Sequence, residues 1–252
     1  MKKNSVLCLV PCYNETKNLP SLFEDVRSTG LENWVDFLFV DDCSQDGTSA
    51  LVSAAGFRVI RHAVNRGYGG AVKTGLHYGL EHGYSRMVLF PGDHQRSAKD
   101  VIRLIEEQNS TMHDVVVGSK FHIYSQKYGP IRRRIGNRIF SGMARFLWGS
   151  PIEDVLSGFK IYNLNSVQPL LGFLPDGYPL DIVFSYYASR IGLSIAEIPV
   201  DCKYTENTTK MKSVLLVCMK MLIALSKHVV LRPLPGGMKK SRAVENSVSV
   251  TG

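Results

Sequence analysis

Three short stretches place side chains fit for chemistry where an apolar run stops. Residues 89–95 read LFPGDHQ: Leu and Phe give way to Pro91-Gly92 and then to one carboxylate, Asp93. A carboxylate delivered to a strand end can take a hard cation, whose ligands are oxygens. Residues 35–46 read VDFLFVDDCSQD, an apolar run closed by Asp41-Asp42. Neighbouring side chains at a strand end point to opposite sides. One acid can therefore cap local backbone while the other faces outward to a base or a ribose; both can equally be turn residues. PCYNE (11–15) offers an aromatic face at Tyr13 and an acid at Glu15, a pair suited to a nucleobase.

Phosphate chemistry has two further candidates. NRGYGGAVKTGLHYG (65–79) carries glycines at 67, 69, 70, 75 and 79, and the first three could let backbone approach a phosphate. The spacing is not that of a dinucleotide-binding G-x-G-x-x-G, and no later acidic partner follows. The second candidate is charge. The chain has 30 Lys+Arg against 22 Asp+Glu, a net charge of +8, and the excess is uneven. From Val115 to Ile152 there is no acid, while Lys120, Lys127, Arg132, Arg133, Arg134, Arg138 and Arg145 all fall there. Such a block suits phosphates on a nucleotide, a lipid or a nucleic acid, or else is a solvated basic surface. Phe121, Tyr124 and Tyr128 could stack bases, but a nucleic-acid module leaves DDCSQDGT and DVLSGF without a purpose.

The elements that must position these groups read as α/β. Apolar runs at 5–10, 35–40, 57–60, 86–90 and 114–119 are strand candidates. Helical patterns near 16–29, 46–55, 68–82 and 98–109 alternate with them, the rhythm of a mostly parallel sheet covered on both faces. Asp46 or Ser44 is a candidate cap for the second helix. In such sheets the ligand lies beyond the carboxyl ends of the strands. Here those ends read PCYNE, DDCSQDGT, NRGYGG, PGDHQ and GSK, so five segments converge on one rim. The second half predicts a helix near 136–148, a loop and strand over 153–163, a helix near 180–191 and a strand over 193–204. A last apolar helix over 213–231 is interrupted by Lys220 and Lys227, too short an uncharged run to span a bilayer. It suits core packing or a membrane interface. Residues 233–252 have little to bury and read as a mobile tail.

The N-terminus has two lysines but an apolar run cut short by Pro11, which argues against a signal peptide. Five cysteines without a C-x-x-C pair suit buried thiols in a reducing compartment, so the cytoplasm is the expectation.

Taken in order, PCYNE, DDCSQDGT, NRGYGGA, PGDHQ, GSK and DVLSGF resemble the family 2 glycosyltransferases of the GT-A fold, most of all the branch that makes polyprenyl-phosphate sugars, such as dolichol-phosphate mannosyltransferases. The resemblance covers about residues 5–211. It implies a GT-A domain over 1–211, followed by the helix over 212–232 and the tail over 233–252. It implies that Pro11, Tyr13, Glu15 and Asp42 hold the nucleoside, with Gly92, Asp93, Lys120 and Lys210 completing the nucleotide-sugar site. Asp93 and Gln95 fall on metal-linked positions for Mg2+ or Mn2+, and Asp93 and Asp154 on catalytic ones, Asp154 near the acceptor. Arg133 and Arg134 become candidates for the acceptor phosphate. The activity implied is transfer of a sugar from a nucleotide-diphosphate sugar to an acceptor, a polyprenyl phosphate, with inversion, by an enzyme resting peripherally on the cytoplasmic membrane face and not on nucleic acid.

Three departures qualify that expectation. Pro91 stands where the family's D-x-D segment has its first Asp. One carboxylate with Gln95 and the donor diphosphate could still hold a cation, the basic stretch could replace it, or catalysis could be lost, leaving a GT-A binding protein. Lys120 stands where the family often has Arg, keeping the charge without the bidentate fork. YTENTTK (204–210) lacks the Arg and Gly that usually precede the final lysine. A soluble transferase acting on a hydroxyl of a glycan or small molecule is the remaining alternative.

Overall fold

The computed structural model describes residues 4–120, 131–202, 223 and 225–227, and within the helix at 131–148 the side chains from 138 onward. Seven strands make one sheet: β1 (Val6–Cys12), β2 (Asp36–Asp41), β3 (Val59–Arg61), β4 (Arg86–Leu89), β5 (Val115–Ser119), β6 (Lys160–Asn163) and β7 (Ile195–Pro199). Their spatial order is β3-β2-β1-β4-β6-β5-β7. Pairing is parallel except along β6, which runs antiparallel to both β4 and β5. The α/β, mostly parallel sheet expected from the alternating pattern is therefore present, with one reversed strand in its second half.

The apolar runs read as strands because both of their faces are buried. Leu7 and Leu9 of β1 face one core, and Cys8 and Val10 the other. The first core is closed by α3 (Gly67–Glu81), α5 (Ile131–Trp148) and α7 (Leu180–Ile191), the second by α1 (Leu19–Thr29), α2 (Thr48–Ala54) and α4 (Ala98–Thr111). A short α6 (Leu164–Val167) and a 3-10 turn (Gln168–Phe173) follow β6. Two glycines set how close α3 lies to the sheet. A Cβ on Gly75 would stand 2.3 Å from Leu9 Cδ2, and one on Gly79 would stand 2.8 Å from Leu164 Cδ1.

In the second half, two boundaries differ from the sequence reading. The helix expected near 136–148 begins five residues earlier, at Ile131. The strand expected over 193–204 covers only Ile195–Pro199, ending where Pro199 has no N–H to donate. Of the apolar segment at 213–231 only Ile223 and Leu225–Lys227 are described. They are helical, with Leu225 buried against the first core. The 233–252 tail and Lys210 lie outside the described residues. No helix among the described residues is long and apolar enough to cross a membrane.

Candidate active site

The carboxyl ends of β1, β2, β4 and β5 lie at one edge of the sheet, together with the amino end of the reversed β6. The segments singled out by sequence thus meet at a single rim.

At the β1 and β2 ends, PCYNE and DDCSQDGT are laced together. The N–H of Asn14 donates to Ser44 Oγ (2.9 Å), that of Gln45 to Asn14 Oδ1 (3.0 Å), and that of Glu15 to Thr48 Oγ1 (3.0 Å). Asn14 and Cys43 take left-handed backbone (φ 55° and 66°) at the two bends. Gly47, not Asp46 or Ser44, stands at the cap position of α2; Asp46 accepts from the N–H groups of Thr16 and of Thr48, the first helical residue, 3.1 Å each, and Ser44 serves the PCYNE loop. Pro11 is half-buried, Glu15 is buried, and the Tyr13 ring is 42% exposed, leaving an aromatic surface at the rim.

The adjacent acids divide their work differently from the expectation that one would face outward. Asp41 is buried and holds the turn through Ser44 N–H (3.0 Å), with Ser49 and Arg61 also on its carboxylate. Asp42 is buried as well. Its carboxylate accepts the N–H groups of Arg66 (2.8 Å) and Gly67 (2.6 Å) and faces His62 Nδ1 at 2.7 Å. The first N–H groups of a helix attract an anion, and here a side chain of the protein fills that place.

The same geometry corrects the phosphate reading of the glycine-rich segment. A Cβ on Gly69 would stand 2.4 Å from Pro175 O and 2.8 Å from Gly177 N, and one on Gly67 3.0 Å from Gly177 Cα. These glycines admit the 174–178 loop, which Lys73 (2.8 Å) and Arg66 (3.5 Å) then pin through Asp176.

After β4, Gly92 is small for a local reason. A Cβ there would stand 2.9 Å from Cys12 Sγ and 3.0 Å from Pro11 O, which ties PGDHQ against the end of β1. Asp93 accepts from Gln95 N–H (3.2 Å) and Gln95 Nε2 (2.6 Å), while Gln95 Oε1 lies 3.6 Å from Cys202 Sγ. His94 has left-handed backbone and its Nε2 lies 3.6 Å from Asp25 on α1. Asp25 also caps α4 through Ala98 N–H at 2.7 Å. Among the described residues no three His, Cys, Asp or Glu side chains form a ready metal cage. Asp93 and Gln95 nonetheless fit a Mg2+ or Mn2+ ion that takes its other oxygens from a diphosphate and water. A half-turn of the Gln95 amide would present its oxygen on the Asp93 side.

At the β5–β6 side stands Asp154, with no solvent exposure. Its Oδ2 accepts Lys120 N–H at 3.3 Å and lies 3.9 Å from Lys120 Nζ. Its Oδ1 has no hydrogen-bond partner among the described residues. Sequence reasoning missed what lies beneath. Lys160 and Asp181 form a buried ion pair at 2.8 Å, and burial, opposed by Lys160, holds the Asp181 carboxyl above its ordinary range. The Tyr68 hydroxyl approaches Asp181 without closing a well-formed bond to it. Burial first, then the charge of Asp181, push the phenol well above its usual range. A charged residue at the head of the apolar strand KIYN is the one sequence sign of this pair, because a buried lysine needs a counter-charge. Arg133 and Arg134 fall in the first turn of α5, and their side chains lie outside the described residues.

Comparison with known proteins agrees with this arrangement. The sequence model described as "Glycosyl transferase family 2" matches residues 8–171. Polyprenol monophosphomannose synthase of Mycolicibacterium smegmatis is 28% identical over 77% of this chain and 76% of its own length. Undecaprenyl-phosphate mannosyltransferase of Micrococcus luteus is 29% identical over 77% and 82%. Among solved structures, glucosyl-3-phosphoglycerate synthase from Mycobacterium tuberculosis with Mn2+ and uridine-diphosphate-glucose superposes with a TM-score of 0.68. That match has 19% identity and covers 88% of this chain and 77% of that one, a likeness that shows the GT-A fold.

Proposed function

The chain belongs to glycosyl transferase family 2, and from that premise we propose that it moves a sugar from a nucleotide-diphosphate sugar to a polyprenyl phosphate, with inversion at the anomeric carbon. The observation that carries the proposal is the placement of Asp93 and Asp154. They flank neighbouring antiparallel strands, Asp93 four residues beyond Leu89 and Asp154 six before Lys160, the residue paired with Leu89. Donor and acceptor ends of a reaction can therefore be served by loops that leave one strand pair at the same edge of the sheet.

In this reading the laced β1–β2 loops hold the nucleoside, with Tyr13 against the base and Pro11 and Glu15 beside it. Asp42 contributes by fixing the backbone at Arg66 and Gly67. Asp93, with Gln95, would hold a Mg2+ or Mn2+ ion, which when bound supplies neutralisation of the charge growing on the departing diphosphate. Lys120 adds positive charge, and the resemblance gives Lys210, outside the described residues, the same role. The acceptor oxygen attacks the anomeric carbon from the face opposite the diphosphate, as the bond to the diphosphate breaks. A phosphate monoester retains part of its last proton near neutrality. The Oδ1 of Asp154, without a partner among the described residues, can accept that P–OH hydrogen and so fix which oxygen attacks, while Arg133 and Arg134 hold the phosphate charge.

Contact with the cytoplasmic face of a membrane is supported by α5. Ile139, Phe146 and Leu147 are exposed beside Arg138 and Arg145, an apolar and basic combination suited to a lipid interface. The likeness to relatives named for polyprenyl and undecaprenyl acceptors points the same way.

The deciding experiment supplies UDP-glucose, UDP-N-acetylglucosamine and GDP-mannose in turn, with and without Mn2+. Each is offered with a polyprenyl phosphate in detergent or with a panel of soluble sugars. One donor should yield lipid-linked sugar and acceptor-dependent nucleotide release. Transfer only to soluble hydroxyls, or no transfer at all, sinks the proposal.

A further inference from the structure

We infer that Glu197, on the edge strand β7, is the positioning residue for Asp154. The inference rests on the role given to Asp154 above. Glu197 stands level with Val117 in the parallel β5–β7 register, a position whose β5 neighbour faces the first core. An acid there is half-buried, and burial pushes its carboxyl up. Its two oxygens are spent on backbone: Oε2 accepts the N–H of Glu153 at 2.6 Å and Oε1 that of Asp154 at 3.0 Å. Two successive N–H groups on one carboxylate fix the rotation of the peptide between them, and with it the direction in which the Asp154 side chain leaves the backbone.

Asp154 needs such a clamp. It lies in a loop outside helix or strand, followed by the turn closed by Ser157 N–H on Asp154 O at 2.9 Å. Among the described residues its side chain is tied through Oδ2 alone, to Lys120. With Oδ1 buried and without a partner among the described residues, the aim of that oxygen is set by the backbone it hangs from. Loss of the clamp should misplace the acid while leaving the donor loops of β1, β2 and β4 in place, Lys120 being the one donor-side residue among those described that Asp154 holds.

The test is Glu197→Gln, which keeps the size but sets an amide NH2 against one of the two N–H groups. Turnover is counted per nucleotide-binding site, the sites being titrated with UDP or GDP to match the active donor. The kcat per site should fall about 100-fold, the scale expected for a misplaced reacting group, with donor KM within about threefold. Glu197→Asp, which restores two acceptor oxygens on a shorter arm, should recover about tenfold of that loss. A Gln variant whose kcat per site stays within about threefold of wild type overturns the inference, because a purely structural acid would lower the number of sites and not the rate of each. If the Gln variant does not fold, the Asp variant is read by the same threshold. Asp154→Asn separates the two claims. Wild-type turnover in that variant removes the role of Asp154 itself, and Glu197's with it. A dead Asp154→Asn beside a normal Glu197→Gln removes only the clamp.

Discussion

Lys160 Nζ lies 2.8 Å from Asp181 Oδ1, and both side chains are almost wholly buried, one at the head of β6 and the other in the first turn of α7. The pair joins the sheet to the helix directly behind the rim. Taking two charges out of water is expensive, and removing one partner leaves the other uncompensated. Lys160→Met should therefore cost about 3–5 kcal/mol in denaturant unfolding. The double change Lys160→Met with Asp181→Leu should recover most of that loss. A single variant as stable as wild type would show that the pair is not closed in solution.

Asp176 carries a different kind of ion pair, exposed and close to the donor rim. Its slight burial raises the carboxyl, but the hydrogen bond and charge of Lys73, with Arg66 beside it, outweigh that and lower it below the ordinary value. A folded-state pKa that is lowered adds stability above the unfolded value, and that stability is lost as pH falls through the folded one. The difference in thermal midpoint between wild type and Asp176→Asn should then be full at neutral pH and shrink from about pH 4 downward. Asp176 is 42% exposed, so added salt should shrink it too. A difference that is constant with pH would mean that Asp176 holds its loop by some other route.

The elements were legible where burial is two-sided. β1, β2, β4 and β5 are apolar runs ending in polar residues, and those endings meet at one edge of the sheet. What was hidden depends on partners far apart in the chain. Nothing near Gly69 announces that Pro175 and Gly177 will press on it. Asp42 reads as an outward ligand until the start of α3 folds back onto its carboxylate. Glu197 is an ordinary strand acid until the loop at 153–154 is laid across it. The entrance of α5 was hidden for a local reason, since the basic run Arg132-Arg133-Arg134 reads as a connector and not as the first turn of a helix that begins at Ile131.

Asp93 is the only carboxylate of PGDHQ, and Pro91 occupies the place of a second one. Asp93→Asn should reduce transfer about 100-fold or more, the scale seen when a transition-state charge loses its partner, with thermal stability unchanged. Pro91→Asp should fold and lower the Mn2+ concentration for half-maximal rate about tenfold, because an added carboxylate strengthens a hard-cation site. Full wild-type activity in chelator, with no gain in the Pro91 variant, would mean that the basic side chains alone carry the diphosphate charge.

The exposed face of α5 separates apolar from basic contributions to membrane contact. Spacing of seven sets Ile139 over Phe146 and Arg138 over Arg145, and Phe146 is 88% exposed with Leu147 at 59%. Each basic residue near an anionic surface adds about 1 kcal/mol, screened within about 8 Å at physiological ionic strength. A buried Phe or Leu adds about 1.5–3 kcal/mol that salt does not remove. The protein should therefore sediment with anionic liposomes, in part reversibly on adding salt. Changing Arg138 and Arg145 to Gln should weaken the binding seen at low salt. Changing Phe146 and Leu147 to Ser should abolish the fraction that survives high salt, and because both side chains lie on the surface the thermal midpoint should hold. Liposome binding unchanged by the Phe146 and Leu147 changes would move the apolar contact to another part of the chain. No binding even at low salt would leave a soluble acceptor as the better reading.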